Sequence, residues 1–307
     1  METLNTNTLP LALPPYSQLI CQYDPERRAL WAYMNPNPRP CFTPTLLKEI
    51  RDLQNRLAHN LVTPSCRDNI GYLVYASATP SVFNLGGDVE LFASLVEAND
   101  RGALRDYGRQ CIDAVYANVT SLGVESLTTV ALIQGTALGG GLEGALSCNV
   151  VVAERSAPTG FPEILFNLFP GMGAMSLLSR KIEPAKAQRI ILDGDILDGR
   201  TLWEIGVVDE LAPDGEGVRK VNEFIRRHER QASGRLAMQR VFNRVRPLAY
   251  EELLDVVEMW VDAAMRLTPR DIRVMNRIVA AQSRLTDKTG SLETTDARAT
   301  RQLEAVA

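Results

Sequence analysis

The feature that most constrains the fold of this chain is a strand that leads into three consecutive glycines and then a helix. The apolar run Thr128–Ile133 predicts a buried strand, and the glycines at 139–141 precede a short helix predicted at residues 142–147. Such a junction leaves backbone N–H groups without partners at the positive end of the helix dipole. It matches neither a dinucleotide-binding fingerprint nor a P-loop. It indicates either an anion hole for a substrate oxygen or simply close packing of helix and strand.

Two glutamates stand beside glycine-rich backbone. Glu143 lies in the first turn of the predicted helix, where it could transfer protons or merely complement the helix dipole. Glu163 lies among apolar residues, where an unpaired carboxylate is costly and burial raises its pKa toward the range useful for proton transfer. A buried hydrogen bond to loop backbone is the alternative explanation for Glu163.

A second glycine turn precedes both glutamates. Gly86 and Gly87 follow a predicted strand, and Asp88 is placed to cap a helix predicted at Val89–Glu97. By itself this segment also fits an ordinary turn. Taken together, the glycine turns and the carboxyl groups favour chemistry on a carbonyl through an enolate or a tetrahedral oxyanion.

Strands and helices alternate along the first two thirds of the chain, which indicates an α/β fold with covered sheets. Strands are predicted at residues 18–23, 29–33, 72–77, 128–133 and 150–153. Helices are predicted between them at residues 44–58, 89–97 and 104–121. Later helices are predicted at residues 174–180, 184–192, 197–205, 217–230, 249–266 and 270–283, with one strand at 207–211.

The pattern divides the chain into four parts. Residues 1–15 are predicted to form a loose arm, residues 16–210 an α/β core, and residues 211–285 a helical C-terminal module. Residues 286–307 form a polar tail that we expect to be mobile.

Charge and hydropathy exclude several classes of protein. The net charge of −4, from 33 basic and 37 acidic residues, argues against nucleic-acid binding. No apolar run approaches the roughly 20 residues of a membrane span, so we expect no membrane insertion. The first residues lack the basic region of a secretory signal, which favours a cytoplasmic location.

The cysteines and histidines suggest neither a metal site nor a disulfide framework. The five cysteines are far apart without paired spacing, so we expect free thiols. His59 ends a helical pattern, and His228 stands among charged residues on what we expect to be a solvated helix face. No metal and no cofactor are therefore expected.

Four stretches stand in the order and spacing of one known family: FNLGGD, IQGTALGGGLEGAL, GFPEILFNLFPGMGA and LDGDILDGRTLWEIGVVDELAP. Through them, residues 16–285 resemble the crotonase (enoyl-CoA hydratase/isomerase) superfamily. The resemblance implies a crotonase-like spiral of ββα units with two roughly perpendicular sheets, a helical C-terminal module and homotrimers, often paired into hexamers. It also implies that Glu143 and Glu163 are the catalytic carboxyl groups, and that the backbone N–H groups of Gly87 and Gly140 form the oxyanion hole.

Substrate contacts are predicted at Gly86, Leu138, Met172, Trp260 and Ile278. An acyl chain needs an apolar tunnel, although apolar residues of this kind are also typical of a plain core. The candidates for its wall are Leu165, Phe166, Leu168, Phe169, Met172, Met175, Trp260, Met265 and Ile278.

Within the superfamily the chain is most similar to the bacterial diffusible signal factor synthases. The shared features are the N-terminal strand pair, NLGGD and the helical end around Trp260. The similarity implies a dehydratase and thioesterase that converts a 3-hydroxyacyl thioester on acyl carrier protein to a cis-2-unsaturated free fatty acid used in quorum sensing. A regulatory sensor kinase is a further implied partner.

The carrier and the reaction leave alternatives open. Ser81 and its neighbours stand where coenzyme A enzymes often have a basic residue, which favours the phosphopantetheine of a carrier protein, with coenzyme A still open. We assign Glu163 as base and Glu143 as acid, and no G-x-S-x-G motif offers a serine nucleophile for hydrolysis. The alternatives are an acyl-CoA hydratase or isomerase without thioester cleavage, and a non-catalytic regulator with the same fold.

Overall fold

Ten strands in two sheets alternate with helices along the part of the chain that the structure describes. The computed structural model describes residues 10–63, 66 and 69–290. The strands are β1 (Leu19–Asp24), β2 (Ala29–Met34), β3 (Tyr72–Ser77), β4 (Val82–Asn84), β5 (Thr128–Ile133), β6 (Thr136–Leu138), β7 (Val150–Glu154), β8 (Pro158–Gly160), β9 (Ile196–Asp198) and β10 (Glu210–Ala212).

The α-helices are α1 (Pro44–Leu61), α2 (Val89–Glu97), α3 (Arg101–Val119), α4 (Gly140–Leu146), α5 (Ala174–Leu178), α6 (Pro184–Asp193), α7 (Gly199–Glu204), α8 (Gly217–Glu229), α9 (Ala232–Val245), α10 (Tyr250–Ala264) and α11 (Pro269–Gly290). Two short 3₁₀ helices are formed by Ser121–Gly123 and Pro162–Phe166.

The larger sheet has six strands in the order β1-β2-β3-β5-β7-β10 and is parallel except for the β1–β2 pair. Strands β2, β3 and β5 are buried along their whole length because helices cover both faces. On one face the stacked rings of Trp31 and Tyr33, 5.7 Å apart, join a core completed by α8. On the other face Leu30 and Ala32 join the larger core with α1 and α3.

The smaller sheet has the order β4-β6-β8-β9, with β4, β6 and β8 parallel and β9 antiparallel to β8. Each of its strands has three residues. Parallel strands end at the same edge of a sheet, and ligands commonly bind at that edge. Here β4 leads to the turn at 86–87, β6 to the turn at 139–140, and β8 to the 3₁₀ helix that contains Glu163. The sheet therefore brings three segments that are distant in sequence to one edge.

The predicted α/β class with a helical C-terminal region is confirmed. The strands predicted at 72–77 and 128–133 and the helix at 89–97 occur with those bounds. The predicted cap at Asp88 is confirmed, since its side chain accepts a hydrogen bond from Leu91 N (3.2 Å). Thr43 caps α1 in the same way by accepting one from Leu46 N (3.0 Å).

Several element bounds differ from the prediction. The helix predicted at 197–205 begins only at Gly199, because residues 196–198 pair as β9 and the Asp198 side chain caps the helix by accepting from Thr201 N at 2.7 Å. The strand predicted at 207–211 is limited to β10. Strands β4, β6 and β8 and helix α9 were not predicted.

The C-terminal helices pack directly on the α/β core. Helix α8 contacts β7, α10 contacts α3, and α11 contacts the 3₁₀ helix Pro162–Phe166. Strand β10 crosses the domain boundary predicted at 210, and α11 crosses the one predicted at 285. Residues 1–9 of the predicted arm and 291–307 of the predicted tail lie outside the described residues.

His228 is buried, so the prediction of a solvated helix face is wrong. Its side chain is 6% exposed, and its Nδ1 shares a hydrogen bond of 2.8 Å with the Tyr72 hydroxyl. Helical spacing places His228 on the same face as Val221, Phe224 and Ile225, which enter the core. Burial, and then the positive charges of two nearby arginines, lower its pKa to about 4. The burial of His228 was not predicted because its neighbours in sequence are charged.

Cys21, Cys41, Cys111 and Cys148 are present as thiols. Within the described ranges, the helices are either too short or too polar to cross a lipid bilayer.

Candidate active site

A cavity of about 100 Å³ opens at the edge of the smaller sheet where β4, β6 and β8 end. Its wall includes both glycine turns and both glutamates. The sequence-predicted residues that line it are Gly86, Gly87, Gly140, Glu143, Glu163, Met172, Trp260 and Ile278. The structure thus brings together nearly all of the predicted site.

The two glycine turns are packed backbone against backbone. A Cβ built on Gly86 would lie 2.9 Å from Leu138 O and 3.1 Å from Gly140 N, and one on Gly140 would lie 3.4 Å from Gly87 N. Gly86 also has φ +97°, a conformation that other residues rarely adopt. No side chain fits between these turns, so two main-chain segments meet at one wall of the cavity.

Each turn has a backbone N–H group without a hydrogen-bond acceptor among the residues that the structure describes. Gly140 is the first residue of α4, where an N–H group has no partner within the helix. In the described part of the chain, no protein acceptor is hydrogen-bonded to Gly87 N–H. Both residues line the cavity, which makes their N–H groups candidate donors to a bound oxygen.

Glu143 is held in place by the segment that follows Glu163. The carboxyl group is buried, and its Oε1 accepts hydrogen bonds from Met172 N at 2.7 Å and Ala174 N at 2.8 Å. Burial raises the pKa of Glu143 well above its ordinary value, and the Glu163 carboxylate raises it further, against the two backbone donors. The group therefore favours its protonated form.

Glu163 lies in the 3₁₀ helix Pro162–Phe166, although a loop was predicted. Within the described structure its Oε2 is buried without a hydrogen-bond partner. The carboxyl also lies against Gly139, since a Cβ on Gly139 would be 2.1 Å from Oε1. Burial raises the pKa of Glu163 to about 7. A carboxyl with this pKa exchanges protons readily near neutral pH.

The rest of the cavity is apolar. The Trp260 ring lies 5.4 Å from that of Phe92 and packs so closely over Gly171 that a Cβ there would be 2.5 Å from Trp260 Cγ. Phe166, Leu168, Met172, Trp260 and Ile278, five of the predicted tunnel residues, line this wall. The other four predicted tunnel residues, Leu165, Phe169, Met175 and Met265, do not line it. Leu165 and Met175 are 55% and 40% exposed.

Leu138 does not line the cavity. It borders a wider depression of about 650 Å³, which shares Leu85, Pro162 and Ile278 with the cavity wall. Its carbonyl instead packs against Gly86, so its position fixes the turn.

The cavity is also lined by Tyr107, Phe92 and Met275, which the sequence patterns did not predict as site residues. Tyr107 stands at a buried position of α3, where its hydroxyl gives no signal in a helical pattern. Phe92 and Met275 are likewise typical core residues of amphipathic helices.

The site combines two carboxyl groups of raised pKa with two free backbone donors in an apolar cavity. This arrangement can move a proton to or from carbon and oxygen while the donors stabilise negative charge on a carbonyl oxygen. Among the described residues, no cluster of three or more His, Cys, Asp or Glu side chains is arranged to hold a metal ion.

Comparisons with known proteins agree with this geometry. Residues 50–263 match the model of the enoyl-CoA hydratase/isomerase family. A probable enoyl-CoA hydratase of Bacillus subtilis (strain 168) is 31% identical over 132 residues, which are 43% of this chain. The match covers 48% of that relative, so the chain spans about half the length of the curated relative it matches.

Solved structures share the fold. Pseudomonas aeruginosa DspI superposes with a TM-score of 0.66 and 24% identity, over 78% of this chain and 92% of that one. An enoyl-CoA hydratase/isomerase from Xanthobacter autotrophicus Py2 superposes with a TM-score of 0.68 and 20% identity, over 94% of this chain and 98% of that one. With the family model spanning more than two thirds of its length, the chain belongs to the enoyl-CoA hydratase/isomerase family, the crotonases.

Proposed function

We propose that this enzyme dehydrates a 3-hydroxyacyl thioester and then hydrolyses the thioester, which releases a cis-2-unsaturated fatty acid. The proposal rests above all on Glu143 and Glu163, which face one apolar cavity and both have raised pKa values. Family membership supports chemistry on an acyl thioester. The similarity of the sequence to the signal factor synthases supports the finer assignment of substrate and product.

In the dehydration step the thioester oxygen accepts hydrogen bonds from Gly87 N–H and Gly140 N–H. Each such donor contributes roughly 3 kcal/mol to stabilising the enolate, about a hundredfold in rate. The Glu163 carboxylate removes the α-proton. Glu143, still protonated, gives its proton to the 3-hydroxyl group, which leaves as water.

This step leaves each carboxyl group in the state that hydrolysis requires. Glu143 is now a carboxylate and takes a proton from a water molecule that attacks the thioester carbon. The same two N–H groups stabilise the tetrahedral oxyanion. Glu163, now protonated, gives its proton to the departing thiolate, so that both side chains return to their initial states.

The second candidate is a hydratase or isomerase that leaves the thioester intact. Membership of the enoyl-CoA hydratase/isomerase family favours it, because the family is named for those two reactions. The two candidates share the first step and the same carboxyl groups. They differ only in whether water attacks the thioester carbon.

The test is to incubate purified protein with 3-hydroxydodecanoyl thioesters of acyl carrier protein and of coenzyme A, and to identify the products by mass spectrometry. Free enoic acid supports the proposal, and cis geometry is checked against synthetic standards. Enoyl thioester without acid release supports the hydratase or isomerase instead.

The controls in this test are Glu143→Gln and Glu163→Gln, each of which keeps the size of the side chain but removes its acidity. Product formation by both variants at the wild-type rate would rule out the site. An absence of turnover with both carriers would contradict the proposed substrate class.

A further inference from the structure

Tyr107 projects from α3 to the back of the first glycine turn. It is buried and lines the cavity, and its hydroxyl would lie 3.4 Å from a Cβ built on Gly87. No other tyrosine among the described residues lines this cavity.

The hydroxyl group joins two backbone segments. It accepts a hydrogen bond from Asp88 N at 2.8 Å and donates one to Phe42 O at 2.7 Å. A hydroxyl has one proton to donate, so Phe42 O takes it and an oxygen lone pair accepts from Asp88. Burial raises the pKa of Tyr107 well above its usual value, which keeps the phenol neutral and able to donate.

The two segments are already paired at the neighbouring residues. Phe42 N donates to Gly86 O at 2.7 Å, and Leu85 N donates to Pro40 O at 2.8 Å. Phe42 also forms an isolated parallel β-bridge with Gly87, and the Tyr107 hydroxyl links the next residue, Asp88, to Phe42 O. Gly87 therefore lies between one peptide group fixed by Phe42 and another fixed by Tyr107.

This arrangement determines where Gly87 N–H points. Glycine has wide conformational freedom, and Gly86 has a φ of +97°, which other residues rarely adopt. On the N-terminal side of the turn, Gly86 N–H donates to Asn84 Oδ1 at 2.8 Å. Fixing the Gly86 carbonyl on one side and the Asp88 N–H on the other restricts rotation of the peptide groups between them. A backbone donor stabilises an oxyanion only when it is aimed before charge develops.

We propose that Tyr107 is a positioning residue for the oxyanion hole, whose hydroxyl aims the Gly87 N–H at the thioester oxygen by bridging Asp88 and Phe42. The inference rests on the proposed function for the identity of that oxygen. It assigns Tyr107 no contact with the reacting atoms and no proton transfer.

The test compares Tyr107→Phe with Tyr72→Phe in the full chain. Each variant removes one buried hydroxyl. Tyr107→Phe loses two hydrogen bonds, of 2.8 and 2.7 Å, and Tyr72→Phe loses one of 2.8 Å to His228, away from the cavity. We expect Tyr107→Phe to lower kcat about 10- to 100-fold and to change KM by less than about threefold. The upper limit is the loss of rate expected when an oxyanion-hole donor is removed altogether. Tyr72→Phe should keep wild-type kcat.

A second measurement does not depend on turnover. A saturated acyl thioester with a ¹³C carbonyl is bound to Glu163→Gln and to the double variant Glu163→Gln/Tyr107→Phe, and its carbonyl stretch is recorded by infrared difference spectroscopy. Hydrogen bonds at the oxyanion hole weaken the C=O bond, so the stretch should shift to higher frequency in the double variant.

The outcomes separate the inference from the proposed function. If the wild-type enzyme turns over, and loss of the Tyr107 hydroxyl changes neither kcat nor the carbonyl stretch, the positioning role is overturned and the proposed function stands. If the wild-type enzyme binds the thioester without turnover, the proposed function fails, and the infrared shift still decides the role of Tyr107. Equal thermal destabilisation of the two tyrosine variants without a kinetic difference identifies a purely structural hydroxyl.

Discussion

Gly139 lies so close to Glu163 that a methyl group at residue 139 would come within 2.1 Å of the Glu163 Oε1 atom. The glycine that precedes α4 therefore also packs directly against the Glu163 carboxyl group. Gly139 thus contacts the candidate base Glu163 and is the neighbour in sequence of Gly140, the candidate oxyanion donor. Only the absence of a side chain at residue 139 leaves room for the Glu163 carboxyl group in this position.

The first prediction is that Gly139→Ala abolishes most activity. Its backbone has φ +50° and ψ −123°, which a residue with a Cβ adopts only at a cost of about 1–3 kcal/mol. The new methyl group would also displace the Glu163 carboxyl, and a shift of about 1 Å can lower the rate about 100-fold. The measurements are kcat/KM and the thermal unfolding midpoint.

The matched control is Gly234→Ala in α9, where an added Cβ has no heavy atom within 4 Å. Alanine is favoured over glycine inside a helix by about 0.5–1 kcal/mol, so this variant should be slightly more stable and fully active. A Gly139→Ala enzyme with wild-type kcat/KM would contradict the contact between Gly139 and Glu163.

The second prediction concerns the pH dependence of catalysis. The candidate base Glu163 has a pKa raised to about 7 by burial, and only its deprotonated form accepts the α-proton. Hence kcat/KM should fall about tenfold per pH unit below pH 7 and level off above it. A flat profile between pH 5.5 and 7.5 is the result expected of an ordinary exposed carboxylate, and it would exclude Glu163 as the base.

Variants test the same assignment. Glu163→Gln should lower kcat by about 10²–10⁴ and remove the pH dependence near 7. The control Glu183→Gln changes an exposed glutamate before α6 and should leave both the rate and the profile unchanged.

The third prediction is that protonation of His228 makes a destabilising contribution in mild acid. Its pKa is lowered to about 4 in the folded state, compared with about 6.5 for an ordinary histidine, so the unfolded chain binds the extra proton first. This contribution is complete above pH 6.5 and is lost as the pH falls toward 4. The slope is about 1.4 kcal/mol per pH unit from this one proton. The raised pKa values of the buried Glu143 and Glu163 carboxyl groups give contributions of opposite sign in this range, so the His228 contribution is the difference in slope between wild type and His228→Gln, measured by urea unfolding from pH 7.5 to 4.5.

Replacing either histidine separates this effect from general acid sensitivity. His228→Gln should reduce the slope between pH 6.5 and 4.5, although the variant is less stable at pH 7 because the Tyr72 hydroxyl loses its partner. His59 is exposed on α1, so His59→Gln should retain the wild-type slope. Equal slopes for all three proteins would show that His228 does not bind the proton.

The parts of the site that the sequence predicted are those with a local chemical signal. Consecutive glycines before a helix and a glutamate among apolar residues are unusual within a window of ten residues. These signals indicated an anion hole at the glycine turns and the carboxyl groups of Glu143 and Glu163, and the family resemblance then implied Gly87 and Gly140 as the donors. Strands β3 and β5 were predicted with their observed bounds for a similar reason, since apolar runs between turn residues are distinctive.

The missed features depend on tertiary structure. Strands β4, β6 and β8 have three residues each, too few for an alternating pattern to be recognised, yet they bring the site together. Tyr107 acts through contacts with residues 19 and 65 positions away, which no local pattern contains. His228 was misassigned because its charged neighbours in sequence lie on other faces of α8 than its neighbours in the core.

The last prediction is that Trp260 limits the acyl chain. Its ring packs against Phe92 and over Gly171 at the apolar wall of the cavity. Trp260→Ala should enlarge this space and shift kcat/KM toward longer or branched chains. Substrates that fit the wild-type cavity should lose about 0.8 kcal/mol for each methylene group that no longer contacts the wall. A competition assay with 3-hydroxyacyl thioesters of roughly 8 to 16 carbons measures the ratio of kcat/KM for long and short chains.

Trp203→Ala, at an exposed position of α7, is the control and should keep the wild-type ratio of kcat/KM. Trp260→Phe should give an intermediate shift with a smaller loss of stability, whereas an unchanged preference in both Trp260 variants would place the end of the acyl chain elsewhere.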